Sequence, residues 1–110
     1  MNKDKVKHLL DEIEKELHNL SLWGGEAARP EEQAFLSSTP FFMDTMDFHQ
    51  WLEYVALPRL RDYVDQYEKL PEGMLIHTYA EEYYRENYID FAYLIKLLRI
   101  LDSYSRSSKQ

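Results

Sequence analysis

The side chains that could do chemistry in this chain are carboxylates, four histidines and an excess of tyrosine. Cysteine is absent, which excludes thiolate metal sites, thiol nucleophiles and disulfides. His8 with Glu12, Glu14 with His18, and His77 with Glu81 stand four residues apart, a spacing that can present two ligands on one helix face. A solvated charged face explains each pair as well. The Glu-x-x-His pattern of di-iron helical bundles does not occur. Asp44 and Asp47 could form a carboxylate pair for acid–base work. The competing account, in which one caps a helix and the other holds the turn before it, is the one expected. His49 is expected at the surface or half-buried. Neither a nucleophile elbow nor a phosphate-cradling glycine loop is present. No catalytic constellation emerges, and no metal or cofactor is expected.

The nine tyrosines are the more informative feature. Tyr79, Tyr83 and Tyr84 are expected on one helix with Tyr88 just beyond, and Tyr54, Tyr63 and Tyr67 on another. Tyrosine at helical spacing is usually half-buried, with the ring inside and the hydroxyl wet. Left exposed, such a cluster suits a protein-binding patch. Base stacking on RNA is opposed by Glu81, Glu82 and Glu86. The net charge of −7, with 20 acidic against 13 basic side chains, repels phosphate backbones, and Lys5, Lys7, Arg59, Arg61, Lys96 and Arg99 are interleaved with carboxylates or apolar residues. Direct nucleic-acid binding is therefore not expected. An acidic domain docking on a basic protein fits the balance better, and so does association with a second copy. No apolar run approaches the roughly 18 residues of a membrane span, and the charged start MNKDKVKHLL lacks a signal-peptide core. The expected location is the cytoplasm.

These residues must be positioned by helices. With only three glycines in 110 residues, the chain reads as one all-α domain over residues 1–104 with a polar tail, 105–110, that frays. Val6, Leu9, Leu10, Ile13, Leu17 and Leu20 form one stripe, with Asp4 as its N-cap. Gly24 and Gly25 supply a turn, with Leu22 and Trp23 plugging the bundle end. Pro30 opens a short helix at its N1 position, ended by Ser37–Pro40. Asp47 and Gln50 have capping-box spacing, and Met46 can staple to Trp51. Phe48, Trp51, Leu52 and Val55 then share one face, whereas Leu57, Leu60, Val64 and Tyr67 share another, more than a quarter-turn away. With Pro58 between them, a bent or broken helix is expected, its two halves facing different neighbours. Thr78 and Glu81 read as a second capping box. Residues 89–104 are apolar around most of their circumference, which predicts a central, well-buried helix. The sum is a single compact antiparallel bundle of five to six helices.

Pro40-Phe41, Asp44-Thr45-Met46, Phe48, Gln50-Trp51-Leu52 and Pro58-Arg59, followed by Leu70-Pro71 and Ala80-Glu81-Glu82, resemble the YqcC-like family of small bacterial proteins. His77-Thr78-Tyr79 departs from the proline–methionine pair expected before Ala80. The resemblance implies a helical bundle in the bacterial cytosol and brings no activity and no catalytic residues. Members are often encoded beside a tRNA pseudouridine synthase, which makes that tRNA-modifying enzyme a candidate partner. The expectation is a non-enzymatic interaction module with a surface near Asp44, Thr45, Trp51, Tyr54, Arg59, Tyr83 and Tyr84. The alternative is a small-molecule or metal-dependent enzyme using Asp44, Asp47, His49 and Glu81 in one cleft.

Overall fold

The first helix, α1 (Lys3–Asn19), forms where the apolar stripe requires it, burying Val6, Leu9, Leu10, Ile13 and Leu17. Its cap lies two residues earlier than expected: Asn2 Oδ1 accepts the Lys5 amide at 3.1 Å, and Asp4 sits inside the first turn. The computed structural model describes residues 2–106. After α1 the chain runs through 3-10 turns at Glu26–Ala28, Glu32–Leu36 and Pro40–Phe42. The short helix expected at Pro30 is therefore a 3-10 turn beginning at Glu32, with Pro30 outside it. Its five residues are too few to build a cooperative α-helix.

The middle of the chain is one continuous rod made of α2 (Phe48–Trp51), a π turn (Leu52–Ala56) and α3 (Leu57–Tyr67). The helix is not broken at Pro58: Trp51, Leu52, Ala56 and Leu57 all keep right-handed helical backbone angles. Pro58 occupies the first turn of α3, and the Leu57 amide reaches back five residues to the Leu52 carbonyl. A π turn holds roughly one residue more than an α turn, so it retards the side chains that follow by about 100°. That rotation brings the second stripe back toward the first. Phe48 and Leu52 consequently share one core cluster with Leu57, Leu60 and Val64, and the two halves do not face separate neighbours.

The bundle closes with α4 (Ile76–Tyr83), a 3-10 turn (Arg85–Asn87) and α5 (Tyr88–Tyr104). Counting the middle rod as one, four α-helical rods replace the five to six expected. Helix α5 packs on both α1 and α4, and α1 packs on α3. Arg61 strengthens the last contact, donating to Asp11 at 2.7 Å and Glu14 at 2.9 Å.

Two buried carboxylates tie the connections to the rods. Glu53, inside the π turn, accepts the amides of Gly24 and Gly25 at 2.8 and 2.7 Å, while Tyr54 donates to the Gly25 carbonyl at 2.6 Å. Gly24 is required there, since a Cβ would lie 2.6 Å from Tyr54 Oη and 2.8 Å from Ala28 Cβ. Asp102 performs the same service for α4. Its Oδ2 accepts the His77 amide at 2.7 Å and lies 2.6 Å from His77 Nδ1, which therefore carries the ring proton. The box expected from Thr78 and Glu81 is not formed, because α4 begins two residues before Thr78 and Glu81 pairs with Arg99 at 2.7 Å. The tail is also better anchored than its polarity implies. Buried Ser105 accepts the Gly73 and Met74 amides, each at 3.0 Å, through its carbonyl and its hydroxyl. The remaining tail positions, 107–110, lie outside the described residues.

Candidate functional site

The carboxylates and histidines disperse. Asp44 accepts a hydrogen bond from the Ser37 hydroxyl at 2.5 Å, Asp47 sits at the α2 cap, and Glu81 is paired with Arg99. His77 turns to Asp102 and not to Glu81. His8–Glu12 and Glu14–His18 approach only to 3.9 Å, and His18 stacks on Trp23 with ring centroids 4.9 Å apart. Among the described residues no group of three or more such side chains could hold a metal ion. Asp44, Asp47, His49 and Glu81 therefore do not make one ligand cluster.

The tyrosines divide by burial. Tyr84 is buried and stacks on Phe91 at 3.8 Å, whereas Tyr83 beside it is 39% exposed. Burial pushes the Tyr84 hydroxyl far above the usual tyrosine range, with the charges of Tyr83 and Asp47 adding to it. Tyr83 is raised by burial and then by Asp47, and Tyr54 by burial and then by Glu53. The folded protein thus retains protons that the unfolded chain releases near pH 10. This stability is fully present below about pH 10 and declines as pH rises toward the higher folded values. A phenolate absorbance titration is expected to show three of the tyrosines titrating late, and those three merging with the rest in denaturant.

Around Pro40–Phe42 the structure builds a different kind of site. Phe41 and Phe42 both occupy the left-handed region, with φ of +57° and +54°, a conformation costly for bulky side chains. The Phe42 carbonyl accepts the Thr45 and Met46 amides, each at 3.0 Å, and the Thr45 hydroxyl donates to Ala34 at 2.8 Å. Asp44 and Thr45 are thus fastenings of this turn. The turn presents Phe41, which stacks on Tyr79 at 4.3 Å and meets Trp51 edge-on at 4.8 Å. Phe41 and Trp51 form one wall of a groove of about 370 Å³. Val55 and Leu60 continue it, and Pro71, Met74 and Leu75 form its far side. Leu75 is 65% exposed at the rim. Arg59 is the groove's sole charged side chain, its guanidinium carbon 5.8 Å from the Phe42 ring centre. Among the described residues it pairs with no carboxylate.

Of the residues singled out in the sequence, Trp51 and Arg59 meet at this groove, while Tyr54 is engaged by the Gly25 carbonyl. Phe41, Met74 and Leu75 complete it without having been singled out. The available signal was Met74-Leu75-Ile76, three apolar residues of which only Ile76 enters the buried face of α4. A larger depression, about 790 Å³, is lined by Arg29, Glu31 and Gln33 and by exposed Leu36. It is shallower chemistry: mostly polar, with its one cation, Arg29, already 3.8 Å from Glu32.

The chain is similar to known proteins over most of its length. It is 32% identical to an uncharacterised protein of Haemophilus influenzae over 76% of this chain and 77% of that one. With the uncharacterised protein YqcC of Escherichia coli it shares 31% identity over 91% and 90% of the two chains. The solution structure of YqcC superposes with a TM-score of 0.83 at 29% identity, covering all of this chain and 96% of that one. A third relative, named tRNA pseudouridine synthase C in Pectobacterium carotovorum, is 38% identical over 64% of this chain, a match that takes up only 18% of its own length. The DUF446 family model, described as "tRNA pseudouridine synthase C", matches residues 5–104. With the match running from α1 to the last turn of α5 and the fold shared throughout, the chain belongs to the YqcC-like family, DUF446.

Proposed function

We propose that this protein is a docking module for a tRNA-modifying enzyme of the pseudouridine synthase class. The groove between Phe41/Trp51 and Met74/Leu75 carries this reading. It combines an apolar floor, a protruding leucine and one guanidinium without a carboxylate partner. That chemistry suits a partner segment with an apolar side chain next to a carboxylate, since aromatic and arginine anchors dominate protein interfaces. The two left-handed phenylalanines support it, because backbone strain persists where the surrounding structure holds a side chain in a required place. The partner class is supported by the Pectobacterium relative, in which a segment similar to this domain shares one chain with a much longer remainder under the synthase name. A net charge of −7 also favours encounter with a basic, tRNA-binding surface. Such a partnership would take place in the cytoplasm and requires no chemistry from this chain.

Calorimetric titration of this protein with purified tRNA pseudouridine synthase C from the same organism tests the proposal. A saturable complex is expected, and Leu75→Asp and Arg59→Glu should each weaken it by at least about 10-fold without changing the helical circular dichroism. Absence of binding by the wild-type protein would overturn the partner. Binding indifferent to both substitutions would overturn the groove.

A further inference from the structure

Helix α5 carries apolar residues around most of its circumference, yet the bundle covers only part of it. Leu94, Ile95, Leu97, Leu98 and Leu101 are buried, whereas Ile89, Tyr93 and Ile100 are 90%, 47% and 37% exposed. At 100° per residue these three and exposed Lys96 lie within about 60° of one another, forming one outward stripe along a helix with no partner on that side. We infer that this stripe is a two-fold self-association surface, on which the α5 of a second copy lies antiparallel.

The identity of the occupant follows from the sequence of the stripe. An axis passing midway between Tyr93 and Lys96 also lies midway between Ile89 and Ile100. An antiparallel pair in that register therefore sets Ile89 against Ile100 of the partner subunit at both ends. At the centre it sets the Tyr93 ring against Lys96 of the partner subunit, a favourable cation–π arrangement. Self-complementarity of this kind is what a two-fold interface demands. The charges agree with the same direction: exposed Glu86 and Asp90 lie at the start of α5, while Lys96 and Arg99 lie in its second half. An antiparallel pair brings the acidic end of each helix beside the basic half of the other, whereas a parallel pair would set like against like. The contact is about 25 Å long, from 17 residues, so the dimer is a weak one, below the size of stable interfaces. This inference uses none of the groove residues and does not depend on the identity of the docking partner.

The absence of cysteine makes the register directly testable. Ile89→Cys and Ile100→Cys proteins would be oxidised separately and as an equimolar mixture, at concentrations from about 10 to about 500 µM that bracket a weak interface. Sedimentation of the wild-type protein over the same range would be measured alongside. In the inferred register residues 89 and 100 of opposite copies stand level, within disulfide reach, whereas two copies of residue 89 are about 16 Å apart along the helix. The expected result is a wild-type dimer at high concentration and a disulfide that forms several-fold faster in the mixture than in either single variant. Faster bridging by Ile89→Cys alone would indicate a parallel pair and overturn the register. A monomer at every concentration, or a dimer with no preferential mixed disulfide, would overturn the surface itself. Since Ile89 makes no core contact, unchanged circular dichroism of its variant separates these outcomes from misfolding.

Discussion

Truncating Phe48 to alanine is expected to destabilise the protein by about 3–5 kcal/mol, near the upper end for a single substitution. Phe48 is fully buried and touches five other aromatics: Phe41 at 6.1 Å, Trp51 at 5.9 Å, Tyr79 at 5.5 Å, Tyr83 at 5.8 Å and Tyr84 at 5.9 Å between ring centres. These residues belong to the Pro40–Phe42 turn, to α2 and to α4, so one side chain joins three parts of the chain that otherwise meet sparingly. For a domain of this size each kcal/mol lowers the melting temperature by about 4 °C, giving a fall of about 12–20 °C in thermal unfolding. Because Phe41 loses its support from below, the groove should loosen with the core. A variant melting within a few degrees of wild type would mean that the aromatic cluster is not the keystone of the α2–α4 junction.

The second large effect is expected at Glu53. Its carboxylate is buried and bonds two consecutive amides, those of Gly24 and Gly25, at 2.8 and 2.7 Å. Charge-assisted bonds of this kind contribute about 1.5–3 kcal/mol each, and removing the acceptor also leaves the amides unsatisfied. Glu53→Ala is accordingly expected to cost about 3 kcal/mol, and Glu53→Gln, which keeps one acceptor oxygen, about half as much. Denaturant unfolding of the three proteins gives both numbers. Equal stability of the glutamine and alanine variants would show that the charge, and not the acceptor geometry, holds the turn. Since Glu53 lies within the π turn, amide exchange at Gly24 and Gly25 should accelerate in both variants before global unfolding begins.

What was legible in the sequence was what neighbouring residues decide among themselves. The α1 stripe is buried as its periodicity requires, and at the start of α2 the Asp47 amide donates to Gln50 Oε1 at 2.8 Å, as the capping spacing anticipates. Residues that depend on distant partners were not legible. Nothing near Glu53 announces that its partners lie 28 and 29 positions earlier, and nothing near His77 points to Asp102. The stripes on either side of Pro58 did reveal a phase shift. A π turn and a bend give the same sequence signature, however, and only the shared core distinguishes them. Tyr83 and Tyr84 are adjacent and chemically identical, and the packing of Phe91 alone decides which is buried. Helix α5 shows the same limit in reverse: an all-round apolar helix was read as central, but four rods supply too few neighbours to cover it. Half of the groove was visible, through Trp51 and Arg59. Its far wall comes from the connection before α4, which only the fold brings alongside.

The central claim is that the Phe41/Trp51/Leu75 groove, with Arg59 at its edge, receives the partner enzyme. The most direct measurement is a nuclear magnetic resonance titration of isotope-labelled protein with unlabelled tRNA pseudouridine synthase C, following the Trp51 indole N–H, the Arg59 side chain and the methyl groups of Met74 and Leu75. The account predicts saturable shifts or selective broadening at these four residues, with Ile89 and Ile100 little affected at concentrations where the protein is monomeric. Saturable changes that centre elsewhere and spare the groove, or a spectrum unchanged by excess enzyme, would contradict it.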